Sequence, residues 1–409
     1  MANNNEKCKS ARVLLWLNFF LADIRDGLGP YVAIYLVTTH NWNAHQVGVT
    51  LTVMSVTTLI AQTPLGAWID STTFKRLSIA LGALLIGIAT LSTMLFPTFY
   101  VVVGAKILMG LGAAIFPPAI AGITLGLMGR RFFTRQVGRN EAANHAGNVV
   151  SASLAGGMSY LISPVSIFYM GMVASVASII CAFFLKNKDI DHDLARGLDH
   201  KKGDVLRPAK LKSLWESKIF LYFTFCIFLF HFANAAMLPL MGEKLAMENQ
   251  KAGILLMSAL ILVAQLVMIP TAYFVGKKAD GWGRKPIFLL AFCVLPIRGL
   301  LCAFLQNHYA LIFVQVLDGI GAGIFGALFL IVIADLTKGT GRYNISQGAA
   351  ATVMGVGVSL STLITGFLVT KYSFQIAFLF LTAVAFLALI LFILIVPETK
   401  EIEIRSENV

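Results

Sequence analysis

Ionisable side chains inside long apolar stretches are where this sequence could do chemistry, because burying a charge there is costly and is seldom tolerated without a role. The run Asn18-Phe-Phe-Leu-Ala-Asp23-Ile-Arg25-Asp26-Gly27-Leu-Gly29-Pro30 holds three charges among apolar neighbours. At about 100° per residue, Asn18, Arg25 and Gly29 share one helix face. Asp26 lies beside that face, and Asp23 is one turn below Asp26. Pro30 has no N–H and frees the carbonyl of Asp26, and the flanking glycines, Gly27 and Gly29, permit a break. Carboxylates at such a break suit proton exchange or binding of a charged solute. A salt bridge that only fixes packing is the plainer alternative.

Five other stretches carry similar groups. Lys106 lies about 8 residues inside an apolar run, or ~12 Å at 1.5 Å per residue. Asp26 lies ~18 Å from the same side, so Lys106 is a candidate counter-ion of Asp26 or Asp23, or a ligand for an anion. Glu141, Asn144, His145 and Asn148 recur at helical spacing and form a polar stripe that cannot face lipid. His145 has either a proton role or a structural hydrogen bond. His231 and Asn234 fall on one face of a run with Pro239 beyond them. Arg298 and the pair Gln315 and Asp318 stand on neighbouring runs at similar depth. That depth allows an Arg298–Asp318 bridge, either functional or stiffening. Asn18, the stripe, His231, Asn234, Arg298, Gln315 and Asp318 are therefore the candidate lining of a solute cavity.

These residues need a frame that spans a membrane. The chain has 409 residues, 57% hydrophobic and only 13% charged, against roughly 25% charged in soluble domains. Mean hydropathy is +0.79. An ordinary soluble globule, a disordered chain and a disulfide scaffold are excluded. Apolar runs bounded by charged or turn-forming loops lie at about 12–38, 46–69, 76–95, 98–127, 138–162 and 165–185, then 218–241, 252–276, 285–305, 309–336, 345–370 and 374–397. The first run is too long for a cleavable signal peptide. Twelve spans result, in an N-terminal half (1–185) and a C-terminal half (217–409). The charged stretch 186–216 between them reads as a solvated loop with one surface helix near 209–215. With the N-terminus inside, 26 of the 32 Lys and Arg fall on the cytoplasmic side, which places both termini there. The net charge of +12 then faces anionic lipid, and no nucleic-acid partner is expected. The five cysteines show no paired spacing, so neither a disulfide nor a metal site is expected.

The two halves repeat. Lys106-Ile-Leu-Met-Gly110-Leu-Gly112 aligns with Gln315-Val-Leu-Asp-Gly319-Ile-Gly321, 209 positions later. Pro30 aligns with Pro239 at the same offset, and Gly66-x-x-x-Asp70 with Gly276-x-x-x-Asp280 one position further on. The loop Gly276-x-x-x-Asp280-x-x-Gly283-Arg284-Lys285 closely resembles the G-x-x-x-D-R-x-G-R-R signature of the major facilitator superfamily, with Gly281 in place of the usual Arg. The first copy keeps Gly66, Asp70 and the basic pair Lys75 and Arg76 but loses the second Gly. The resemblance covers essentially the whole chain.

The resemblance implies an all-α fold of two pseudo-symmetric six-helix halves that rock about a central cavity. It implies that the two loop motifs act as a cytoplasmic gate, with each Asp, at a helix terminus, accepting from backbone N–H groups of the next helix and pairing with Arg or Lys. A loop fixed by positive charge alone is the other reading. The superfamily's R-x-x-x-G motif is matched by Lys106-x-x-x-Gly110, with Lys in place of the usual Arg. The Gly-Pro motif common in its antiporters has glycines here (Gly147, Gly156, Gly157) but no Pro.

No Walker loop, H-E-x-x-H or G-x-S-x-G element is present, so neither direct ATP drive nor an enzymatic role is expected. The expected function is secondary active transport of a small organic solute across the cytoplasmic membrane, as proton-coupled export. Asp23, Arg25, Asp26 and Lys106 would carry coupling, without cofactor or metal. The partners expected are the solute, protons and the lipid bilayer, and a monomer is the superfamily default. The alternatives are proton-coupled uptake of an organic anion or siderophore-like molecule, and a membrane sensor that does not transport.

Overall fold

The computed structural model describes residues 4–22, 24, 29–198, 208, 216–248 and 250–400. Among them there is no β-strand. The chain packs as two units. One comprises Met1–Ala209 with Thr337–Ala349, the other Lys210–Leu336 with Ala350–Val409.

In the first unit, α1 (Asn4–Ala22) and α2 (Gly29–His40) flank residues 23–28. Then follow α3 (Ala44–Ser71), α4 (Lys75–Leu95), α5 (Phe99–Met128), α6 (Arg130–Leu161) and α7 (Ser166–Phe184). After α7 comes a short segment with a single-turn helix, α8 (His192–Ala195). In sequence order, α9 (Lys218–Ala235), α10 (Met237–Glu248), α11 (Gln250–Trp282), α12 (Arg284–Phe304), α13 (His308–Leu336), α14 (Tyr343–Lys371) and α15 (Phe374–Ile395) complete the chain. The first turns of α14 pack within the first unit.

The loops carry their own stop and start signals. Asn43 and Gln46 form a reciprocal capping box at the start of α3. The Asn307 side chain accepts from the N–H groups of Tyr309 and Ala310 as α13 begins. Gly129, at φ +70, turns the chain between α5 and α6 without a break in length.

Ten helical stretches among the described residues are long and apolar enough to cross a membrane. The two remaining predicted spans fall on α1 with α2, whose centre lies outside the described residues, and on α6. The polar stripe of α6 keeps it below the apolar level of the others. That helix also starts at Arg130, eight residues before the predicted span, because Arg130–Arg139 continues the helix beyond the apolar run. The predicted seventh span is two helices rather than one, interrupted at Ala236 ahead of Pro239. The predicted surface helix at 209–215 lies outside the described residues.

The sequence repeat is a repeat of packing. In the first unit α5 packs on α3 and α4, and α7 on α4 and α1. In the second, α13 packs on α11 and α12, and α15 on α12 and α9. The repeated glycines are the crossing points. A Cβ on Gly110 would lie 2.8 Å from the Met54 carbonyl oxygen in α3. One on Gly319 would lie 2.5 Å from the Val267 side chain in α11. Small residues let helix backbones approach where lipid gives no hydrophobic drive between them.

The predicted solvated loop is corrected for its described part. Residues 186–198 pack against the first unit, with Ile190, Ala195 and Leu198 all at most 4% exposed. These apolar residues stand among the charges that led to the solvated reading.

Candidate functional site

Within the second unit, α9, α12 and α13 bring Asn234, Arg298, Gln315 and Asp318 together. Arg298 is 1% exposed. One terminal nitrogen lies 2.8 Å from Asp318 Oδ1 and donates to Asn234 Oδ1 at 2.5 Å. The other donates to Gln315 Oε1 at 3.2 Å, and Gln315 Nε2 points at Met241 Sδ, 3.4 Å away. The Nε–H of Arg298 is buried with no hydrogen-bond partner among the described residues. The guanidinium is thus held by one charge and two amides from two neighbouring helices, α9 and α13. His231 stands one turn before Asn234, with its ring edge-on to Phe325, centroids 4.4 Å apart. Its contacts are aromatic, and it does not join the polar group.

The first unit has a different interior. Lys106, in the register position of Gln315, is 2% exposed, and no ion pair holds it among the described residues. Its proposed partners Asp23 and Asp26, with Arg25, lie outside the described residues. Asn18 is 4% exposed and donates to the Leu14 carbonyl of its own helix at 2.8 Å. That back-bond occupies one of the two amide hydrogens of Asn18. On α6, Glu141, Asn144, His145 and Asn148 are all half-buried, and Asn148 donates to Asn144 at 3.5 Å.

The stripe continues further than expected. Gln136 and Asn140 stand eight and four residues before Asn144, and each is 3% exposed. Gln136 donates to Asn140 Oδ1 at 2.8 Å and to the Ala11 carbonyl in α1, and Asn140 donates to Thr124 in α5 at 3.0 Å. Spacing by fours from Asn148 back to Gln136 was the signal that could have found them.

The two loop motifs lie at equivalent helix ends but are wired differently. Their basic residues match. Lys75 donates to the Ile69 and Thr72 carbonyls, and Arg284 to that of Ala279. Arg76 donates to the Leu185 carbonyl at the end of α7, and Lys285 to Ile393 near the end of α15. Their acids differ. Asp280 is half-exposed and pairs with Arg284 at 2.8 Å on its own loop. Arg284 also pairs with Asp335 at 3.0 Å, and Glu398 accepts from the N–H groups of Arg284 and Lys285, each at 2.9 Å. A Cβ on Gly283, at φ +91, would lie 2.6 Å from Glu398 Oε2. Gly276 is buried at the same end of α11.

Asp70 is 5% exposed and reaches the first turn of α14. It accepts from the N–H of Asn344 at 3.1 Å, from Asn344 Nδ2 at 2.8 Å and from the N–H of Ile345 at 2.9 Å. The expected helix-terminus contact is therefore made not to the following helix but to one more than 270 residues later. A Cβ on Gly66 would collide with the Asn344 carbonyl. Asn344, Asp335 and Glu398 escaped the sequence reading because each lies beyond its loop motif in sequence.

Nearby, the His192 ring is held below its ordinary value, first by burial and then by the Lys75 ammonium.

Comparison with known proteins places these features. The model of the Major Facilitator Superfamily matches residues 14–297 and 225–408. An uncharacterised MFS-type transporter of Mycobacterium tuberculosis is 45% identical over 399 residues, 97% of this chain and 96% of that one. The multi-drug resistance efflux pump PmrA of Streptococcus pneumoniae is 31% identical over 127 residues, 30% of each chain. Among solved structures, the human organic anion transporter MFSD10 (TETRAN) superposes with a TM-score of 0.68 at 13% identity, over 96% of this chain and all of that one.

Proposed function

The chain belongs to the major facilitator superfamily, and from that premise we propose that it exports a small organic solute in exchange for protons by alternating access. It works in the cytoplasmic membrane with both termini and both loop motifs inside. The observation that carries this reading is ionisable groups in the interior of both repeats. Lys106 is buried without an ion pair among the described residues, and Arg298–Asp318 is buried on the equivalent helices. Each buried ion costs several kcal/mol in a membrane-like interior, so such groups are retained where protons or charged solutes pass. Asp23 and Asp26 supply the carboxylates for coupling, with Arg25 and Lys106 as the cations beside them. A carboxylate exposed alternately to water and to a buried cation exchanges its proton as its surroundings change. Partial likeness to an efflux pump supports the outward direction. The excess of cation at Lys106 favours a second reading, uptake of an organic anion.

In this mechanism Asp70 is the movable part of the gate. Its three hydrogen bonds hold the first turn of α14 in one state and release it in the other. Asn234, Gln315 and Asp318 hold Arg298, and the α6 stripe offers amides to the solute.

The test uses proteoliposomes with a trapped pH dye, screened with metabolites, siderophores and cationic drugs. The expected result is a solute-dependent proton signal lost in Asp26→Asn, with a sign that means antiport. A signal of opposite sign establishes symport. A full signal in the Asn variant removes Asp26 from coupling.

A further inference from the structure

The segment after α7 reads in the sequence as a solvated loop, yet it makes ordered contacts that transport as described above does not use. It lies on the first unit through α5. The Asp191 N–H donates to the Gly126 carbonyl at 3.2 Å, and a Cβ on Gly126 would lie 2.6 Å from the Asp191 carbonyl oxygen. The Asp191 side chain then caps α8, accepting from the N–H groups of Asp193 and Leu194. Asp193 pairs with Arg196 and accepts through its carbonyl from Leu198. The segment is therefore a shaped piece of chain with its own cap, its own ion pair and a seat on α5.

What it presents is a row of three consecutive carbonyls. Ala195 O accepts from Asn344 Nδ2 at 3.0 Å. Arg196 O accepts from the Tyr343 N–H at 3.1 Å. Gly197 O accepts from the Gly339 N–H at 2.7 Å and from Arg130 at 3.2 Å. All three face the loop that leads into α14. Gly197 makes the row possible. Its φ of +91 is a conformation that L side chains rarely adopt, and a Cβ would lie 3.2 Å from that of Tyr343. Across the loop, Asp70 takes the N–H groups of Asn344 and Ile345.

Residues 339–345 are thus held from two sides, and Asn344 is the residue shared by both. Its Nδ2 donates to Asp70 and to Ala195 O, its N–H donates to Asp70, and its side chain is wholly buried beside Gly122. We infer that the 191–198 segment is a working half of the gate: Ala195–Gly197 and Asp70 clamp residues 339–345 together, and Asn344 is the positioning residue that joins the two sides. The inference rests on the proposed transport cycle, in which that loop is released once per turnover. Its consequence is that the segment after α7 sets how long the gate stays shut. It has no part in solute recognition.

The two sides must then fail together. The N–H groups of Gly339 and Tyr343 belong to the carbonyl row, and those of Asn344 and Ile345 to Asp70. Hydrogen exchange, resolved to single amides on nanodisc-embedded protein, reads both at once and needs no solute. Gly197→Ala perturbs only the carbonyl row, and Asn344→Asp replaces the bridging amide with a charge facing Asp70. In each variant all four amides should exchange at least tenfold faster than in the unaltered protein. In proteoliposomes each variant should change maximal turnover severalfold and leave KM unchanged. Should Gly197→Ala fail to fold, Asn344→Asp carries the same expectation at Gly339 and Tyr343, two amides it does not touch. Faster exchange confined to the altered side would overturn the clamp, as would a change in KM without a change in turnover. Joint loss of protection in a protein that moves no solute or proton would uphold the clamp and sink the transport reading.

Discussion

Arg298 shows how a buried charge acts at the scale of one residue. A guanidinium among apolar helices is a liability, and Asp318, Asn234 and Gln315 convert it into a fixed object. Breaking a buried pair from one side strands the other charge and costs about 3–5 kcal/mol, whereas removing both ends together can be nearly neutral. Arg298→Ala and Asp318→Ala should each lower the unfolding midpoint of the detergent-solubilised protein markedly. The double variant should lose clearly less than the sum of the two, and strict additivity would deny the bridge any energetic role. A second prediction concerns His192. Burial, and after it Lys75, keep this ring below its ordinary value near 6.5, while Asp191 and Asp193 act in the opposite sense. A histidine depressed on folding binds protons more readily in the unfolded chain. The stability tied to it is therefore complete above pH 6.5 and is lost as pH falls toward the folded value. Unfolding midpoints measured down a pH series should fall below that point, and more steeply than in His192→Gln. Parallel curves for the two proteins would show that the ring is not linked to folding.

At the scale of elements, most of the architecture was legible and its exceptions have physical causes. Apolar runs locate helices well, because in lipid every backbone group must be satisfied within its own segment. The predicted run 98–127 and the observed Phe99–Met128 differ by one residue at each end. Polarity defeats the method at α6, which starts at Arg130 because a helix need not stop where its apolar face does. The pair Arg298–Asp318 could be anticipated from depth along neighbouring helices. The partner of Asp70 could not, since no local pattern links a residue of α3 to the first turn of α14. The back-bond of Asn18 was not read either, since a polar residue in a membrane helix can donate to its own backbone whatever its neighbours in the pattern. Glu398 went unread because it follows the last apolar run, in a place that looks like the start of a tail. It is instead the N-terminal cap of α12, where a carboxylate also opposes the positive end of the helix dipole. Glu398→Ala should cost roughly 0.5–2 kcal/mol, and Glu398→Gln less, because the amide oxygen still accepts. Thermal unfolding of the two variants side by side measures this, and an Ala variant as stable as the parent would leave the cap without weight.

For the whole molecule, the question is why two copies of one loop motif survive with different wiring. The copies share their basic residues and the carbonyls those residues reach, so the repeat built them alike. They diverge at the acid. Asp280 is half-exposed and spends its charge on Arg284, which is already held by Asp335 and lies beside the Glu398 cap. Losing Asp280 leaves Arg284 its other carboxylate. Asp70 is buried, and the contacts it makes are to the Asn344 and Ile345 end of α14. Losing its charge weakens three hydrogen bonds at once, two of them to backbone N–H groups that have few other acceptors there. Hydrogen bonds to charged groups contribute about 1.5–3 kcal/mol each, and ~1.4 kcal/mol is a factor of ten in an equilibrium. In the proposed cycle, the first copy is therefore the one that holds and releases, and the second is the one that braces. Asp70→Asn should change maximal turnover in proteoliposomes by about tenfold or more with KM little altered. Asp280→Asn should leave turnover within about twofold and show its effect, if any, as a small loss of thermal stability, as for a half-exposed pair. Equal effects of the two substitutions on turnover would mean that both copies move, and that the asymmetry of their partners does not divide the work.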